Sequence, residues 1–154
     1  MNNYSNICKA FLIAALVYVL DNVLGFVVAL IMNLSDPLIG GTSRDNWFGA
    51  GTPLTAPGFF VIVYSLFLLF ATRQHWLGVV GTIVVTLMTF VSGFSLLPDH
   101  EIVQRVWQDH LNIATGFTLV VLFAALLSTF VLGISTLIQL ALARRASRAS
   151  AVLS

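Results

Sequence analysis

Asp21 lies near the middle of the apolar run Ala10–Asn33 and is the only formal charge inside any of the chain's four apolar runs. A carboxylate at that depth in hydrocarbon costs ~2.5–3.5 kcal/mol on insertion scales, and more by simulation. Three arrangements relieve the cost. The carboxyl can be protonated and donate to a neighbouring oxygen. It can stay charged beside a bound cation or a water-filled cavity. It can face a second copy of itself. These make Asp21 a proton or cation carrier, the polar anchor of an amphipathic ligand, or a structural hydrogen-bond donor that fixes helix register. The sequence leaves these readings open.

The residues around Asp21 extend the chemistry. Asn22 adjoins it. Tyr18 precedes it by one turn, with its phenol in reach of the carboxyl at i+3 or the amide at i+4. Tyr64 and Ser65 fall near the middle of the second apolar run, Thr86 and Thr89 near the middle of the third, and Ser128 and Thr129 near the middle of the fourth. If successive helices alternate in direction, these groups meet at one depth. The expected ligand- or ion-binding set is Asp21, Asn22, Tyr18, Tyr64, Ser65, Thr86, Thr89 and Ser128. Arg73 and His75 lie at a helix end, too far to pair with Asp21.

The elements that must position these groups are the runs Ala10–Asn33, Leu54–Thr72, Leu77–Leu97 and Leu111–Ala143. Each is about the ~20 residues needed to cross a ~30 Å hydrocarbon core. Hydrophobic residues make up 58% of the chain and charged residues 8%, against ~25% charged in soluble domains. So little charge cannot cover a water-facing surface. The expected fold is an all-α, antiparallel four-helix transmembrane bundle forming a single domain over residues 1–154. A short interfacial helix, Asp99–His110, precedes the last span, and 144–154 form a cytoplasmic tail. The fourth run is longer than a bilayer requires and is expected to tilt or to project as far as Arg144. The N-terminal apolar run is too long for the core of a cleavable signal peptide.

Charge placement gives an orientation. Lys9, Arg73 and the tail arginines Arg144, Arg145 and Arg148 fall on one side of a four-span protein. Arg44, Arg105 and five acidic residues (Asp36, Asp45, Asp99, Glu101 and Asp109) fall on the other. The positive-inside rule then places both termini in the cytoplasm of a multi-pass cell-membrane protein. In the first outer loop, prolines and glycines punctuate the chain, and Trp47 and Phe48 are expected to anchor in the headgroup zone. Asn33-Leu34-Ser35 fits a glycosylation sequon next to the membrane.

Small and hydroxylated residues recur at alternating steps of four and three, the spacing of left-handed helix packing. The first span reads Ala14, Tyr18, Asp21, Gly25, Val28 and Met32. The third reads Gly78, Thr82, Val85, Thr89, Ser92 and Leu96. The fourth reads Ala114, Thr118, Val121, Ala125, Ser128, Leu132, Ser135 and Gln139. The second span is bulkier, with Val61, Ser65, Leu68 and Thr72 as its expected seam and Tyr64 leaning to the same side.

Several function classes are excluded or disfavoured. There is no Ser–His–Asp set, P-loop, CxxC or HExxH. One cysteine, Cys8, gives no internal disulfide. A net charge of +1 gives no reason to expect nucleic acid. Haem ligation within the bilayer is disfavoured, because His75 lies on one side and His100 and His110 on the other. No cofactor, catalytic set or metal site is expected: Asp99, His100, Glu101, Asp109 and His110 match no ligand spacing. The leading reading is a non-enzymatic protein that binds or moves a lipophilic or cationic small ligand through Asp21. The alternatives are a structural or regulatory subunit of a larger membrane complex, and a membrane enzyme acting on a lipid or quinone. The bilayer is the expected partner, together with further copies or a larger complex.

Overall fold

A computed structural model describes residues 6–34, 42–52, 54–73, 76–95 and 113–152. The expected interfacial helix Asp99–His110 and His75 lie outside them. The described residues are all-helical, without strands. The helices are α1 (Asn6–Met32), α2 (Ser43–Asn46), α3 (Gly58–Ala71), α4 (Trp76–Ser95) and α5 (Ile113–Val152). Of these, α1, α4 and α5 are long and apolar enough to cross a membrane. Their outward faces carry Leu20, Ile31, Leu87, Phe90, Leu127 and Val131, all more than half exposed. Apolar residues on faces with no protein against them fit a multi-pass membrane protein, where lipid replaces water.

The helices pack in a ring. α1 lies against α5 and α3, and α4 lies against α3 and α5. The core joins Phe11, Ala15 and Tyr18 of α1 to Tyr64 and Leu68 of α3, Val85 of α4, and Leu122, Ala125 and Leu126 of α5. Tyr18 also reaches α4 directly, donating to Ser92 Oγ at 3.0 Å. Threonines pack among these apolar groups because their hydroxyls are satisfied within their own helices. Thr82, Thr86 and Thr89 donate to the carbonyls of Gly78, Thr82 and Val85 at 2.7–2.8 Å. None of the three is then left with an unmet donor.

The second apolar run is not one continuous helix. Leu54–Thr72 contains a helix only over Gly58–Ala71, 14 residues, or about 21 Å at 1.5 Å per residue. That is shorter than a ~30 Å core. The cause is local. Thr52 and Thr55 bond each other through backbone and hydroxyl groups, and Gly51 takes φ +94° to start the turn. Pro57 then precedes the helix. The first free N–H groups of α3 are met from the loop, Gly58 N bonding Trp47 O at 3.0 Å and Phe59 N bonding Phe48 O at 3.1 Å.

This loop is packed into the bundle. Leu54 is 1% exposed and lies in a cluster with Ala29, Leu34 and Leu119. A Cβ at Gly25 would sit 2.6 Å from Thr55 Cγ2 and 3.2 Å from Leu54 O. Gly25 therefore makes room for the loop, and the close approach that its spacing suggests is not made by a helix. α1 ends just above. Asn33 adopts φ 47°, and Leu34 N bonds Ala29 O at 3.1 Å, the left-handed cap that closes a helix C-terminus. Arg44 Nε adds a bond to Leu30 O at 3.2 Å, a cation where the helix dipole favours one. Trp47 and Phe48 are partly exposed and join Phe26 and Phe59 in a chain of edge-on aromatic contacts.

Candidate functional site

Some of the residues expected to share one depth lie together in the bundle. Tyr18 and Tyr64 meet with ring centroids 4.8 Å apart. The Tyr64 hydroxyl lies 3.2 Å from Thr89 Oγ1. The Thr129 hydroxyl lies beside the Tyr64 phenol, yet it is buried without hydrogen-bond geometry to any partner among the described residues. Tyr18, Tyr64, Thr89 and Thr129 are all at most 1% exposed. Helices α1, α3, α4 and α5 thus each contribute a hydroxyl to one buried layer.

The other expected members go elsewhere. Both ends of the Asn22 amide bond backbone: its Nδ2 donates to Tyr18 O at 2.9 Å, and its Oδ1 accepts from Ala56 N at 3.0 Å. Asn22 therefore anchors the loop before α3. Ser65 is half-buried and donates to Val61 O of its own helix at 2.7 Å. Thr86 is buried one turn from Thr89, against Gly133 of α5. Ser128 is exposed on the outer face, and Thr129 takes the inward position. Ser92, placed in the α4 seam but outside the expected site, is the residue that Tyr18 bonds.

Asp21 stands apart from all of these. It is 3% exposed, and both carboxyl oxygens are buried with no hydrogen-bond partner among the described residues. The local partner expected from spacing, Tyr18, has turned its hydroxyl to Ser92 instead. Asn22, next in sequence, points its amide at backbone. Buried polar atoms in folded proteins are nearly always paired. An orphan carboxyl at the centre of an apolar helix is therefore open to a partner outside the described residues.

The chemistry of that partner is constrained. Among the described residues no group of three or more His, Cys, Asp or Glu side chains could hold a metal ion. Hard metal cations need a full shell of oxygens, six or more for calcium. A proton needs only one carboxyl oxygen. No protein-family model matches the chain, and no curated protein or solved structure matches it.

Proposed function

We propose that this chain is a four-span membrane protein that binds a small cation, in the simplest case a proton, at Asp21 and exchanges it with the aqueous phase. The observation that carries the reading is the pair of buried, unpaired carboxyl oxygens halfway along α1. Ionisable groups inside membrane spans mark proton relays and ion paths. A proton is favoured over a lipophilic ligand because the tyrosine pair and the threonines pack directly against one another in the layer where such a ligand would sit.

In this reading α3 is the fourth span. Its helix supplies one part of the crossing, and the loop Leu54–Pro57 supplies the rest by dipping to the level of Asn22. Asn22 is ten residues before the end of α1, about 15 Å along the helix. Irregular backbone at such depth is tolerated where protein covers it and its polar groups are met. The Ala56–Asn22 bond and the burial of Leu54 supply both conditions. The unit is one transmembrane domain in a cell membrane with both termini cytoplasmic, supported by the basic residues gathered at one end. A reporter fused to the C-terminus and reading outside would reverse that orientation.

The test of function is flux. Protein reconstituted in liposomes containing a pH-sensitive dye is subjected to a proton gradient. Wild type is expected to dissipate it faster than empty liposomes, and Asp21→Asn to match the empty control. Equal flux from wild type and variant would remove Asp21 from any transport role.

A further inference from the structure

One end of the bundle gathers cations. A small cavity of about 30 Å³ opens there, and its lining includes Cys8, Phe11, Arg73, Gly78 and Leu140. The first turns of α1 and α4, the residues just past α3 and the distal part of α5 therefore meet at one level. Lys9 adjoins Cys8, and Arg144 and Arg145 follow Leu140 by about one turn of helix. Lys9, Arg73, Arg144 and Arg145 are all exposed. The acidic side chains among the described residues lie elsewhere. Asp21 is buried halfway along α1. Asp45 lies in α2, whose Arg44 bonds Leu30 O near the opposite end of α1. Among the described residues, no acidic side chain at this end offsets the four charges.

Depth and shape decide what these charges suit. From Lys9 to Met32, α1 rises about 35 Å, a little more than a ~30 Å hydrocarbon core. Lys9 and Arg73 thus stand at headgroup level when the bundle spans a membrane. Arg73 is fixed there by its backbone. Its N–H donates to Phe70 O at 2.9 Å, and its carbonyl oxygen packs onto Gly78, where a Cβ would collide with it. Below Arg73 the cavity is lined by Phe11 and Leu140, and Thr82 turns its hydroxyl to Gly78 O of its own helix. A cationic rim over a largely apolar floor suits an amphipathic anion better than a free one. Guanidinium groups match phosphate oxygens two at a time. Basic residues beside a membrane span attract anionic lipid.

We propose that the basic end of the bundle is a binding site for anionic phospholipid, with Arg73 as the principal contact of the lipid phosphate. Lys9, Arg144 and Arg145 add to the attraction, and the apolar part of the lipid next to its headgroup lies against the cavity mouth. Zwitterionic lipid binds less well, because its headgroup brings a cation toward the same arginines. Asp21 takes no part, so this site and the cation reading above stand or fall separately.

The test is native mass spectrometry of the full-length protein after incubation with equal amounts of phosphatidylglycerol and phosphatidylcholine of identical acyl chains. Wild type is expected to retain the anionic lipid in preference. Arg73→Gln is expected to cut that preference about fivefold, the effect of ~1 kcal/mol per cation near an anionic surface, and Arg144→Gln to cut it less. Both side chains are exposed, and unchanged helicity shows that the variants fold. Arg44→Gln removes the same charge at the other end and is expected to leave the preference unchanged. Soluble glycerol phosphate at the lipid concentration is expected not to displace the lipid. Equal retention of the two lipids by wild type would overturn the proposal, as would an undiminished preference in both Arg73→Gln and Arg144→Gln. A loss in Arg44→Gln equal to that in Arg73→Gln would reduce the effect to net charge and remove the site. Displacement by glycerol phosphate would make it a site for a free anion and overturn the assignment to lipid.

Discussion

Replacing Asp21 with valine is expected to make the protein more stable and, on the proposed reading, to abolish cation exchange. A buried polar group without a partner costs about 1–3 kcal/mol, and Asp21 holds two unpaired oxygens at 3% exposure. Valine removes both polar atoms at similar volume, which packed interiors accept with little penalty. The expected gain is about 1–3 kcal/mol, read as a higher midpoint in detergent-induced unfolding of the purified protein. A gain of stability on removing this side chain fits the trade-off between stability and activity at functional sites. If Asp21→Val instead unfolds earlier than wild type, the carboxyl is making bonds that hold the native state together, and its role is structural.

The opposite effect is expected at Gly81. α3 and α4 pack backbone against backbone there. A Cβ on Gly81 would meet the backbone of Ala71 directly, with Phe67 O at 2.7 Å and Phe70 C at 2.8 Å. Backbone cannot rotate aside as a side chain can, so the helices must separate. Ala71 is 5% exposed and Leu68 8%, and both belong to the core that would open. Overpacking costs about 1–3 kcal/mol where neighbours can adjust, and occasionally more. Gly81→Leu is expected at or beyond the upper end of that range, with Gly81→Ala intermediate. Accelerated proteolysis and an earlier unfolding midpoint are the readouts. A Gly81→Leu protein as stable as wild type would show that the α3–α4 contact is looser than described.

Much of this architecture is legible in the residues, and its limits have physical causes. The apolar runs locate α1, α4 and α5 because hydrocarbon demands long, continuous, uncharged helices. The α4 seam reads correctly from Gly78, Thr82, Val85, Thr89 and Ser92, where small and hydroxylated residues occupy one face. On α5 the spacing misleads. Serine and threonine stand side by side at 128–129 and 135–136, so a step of three and four can start on either. Thr129 and Thr136 turn inward, while Ser128 faces outward and Ser135 back-bonds to Val131 O at its own edge.

The loop before α3 is hidden for a different reason. Leu54 is apolar because it is buried by protein, and composition cannot separate that from burial by lipid. Gly81 is equally silent, since its role depends on which backbone passes beside it. Asp21 is visible from sequence as an anomaly. Its lack of a partner is not, because Tyr18 and Asn22 stand at the right spacing and bond elsewhere.

The most direct test of the central claim is an infrared difference spectrum between acid and alkaline conditions, recorded on the protein in lipid bilayers beside Asp21→Asn. A carboxyl that gains and loses its proton contributes a protonated C=O band in acid and carboxylate bands in alkali. One such pair is expected in the wild type and missing from the variant. Identical difference spectra for the two proteins would mean that Asp21 never changes state, and would contradict the assignment of a cation to it.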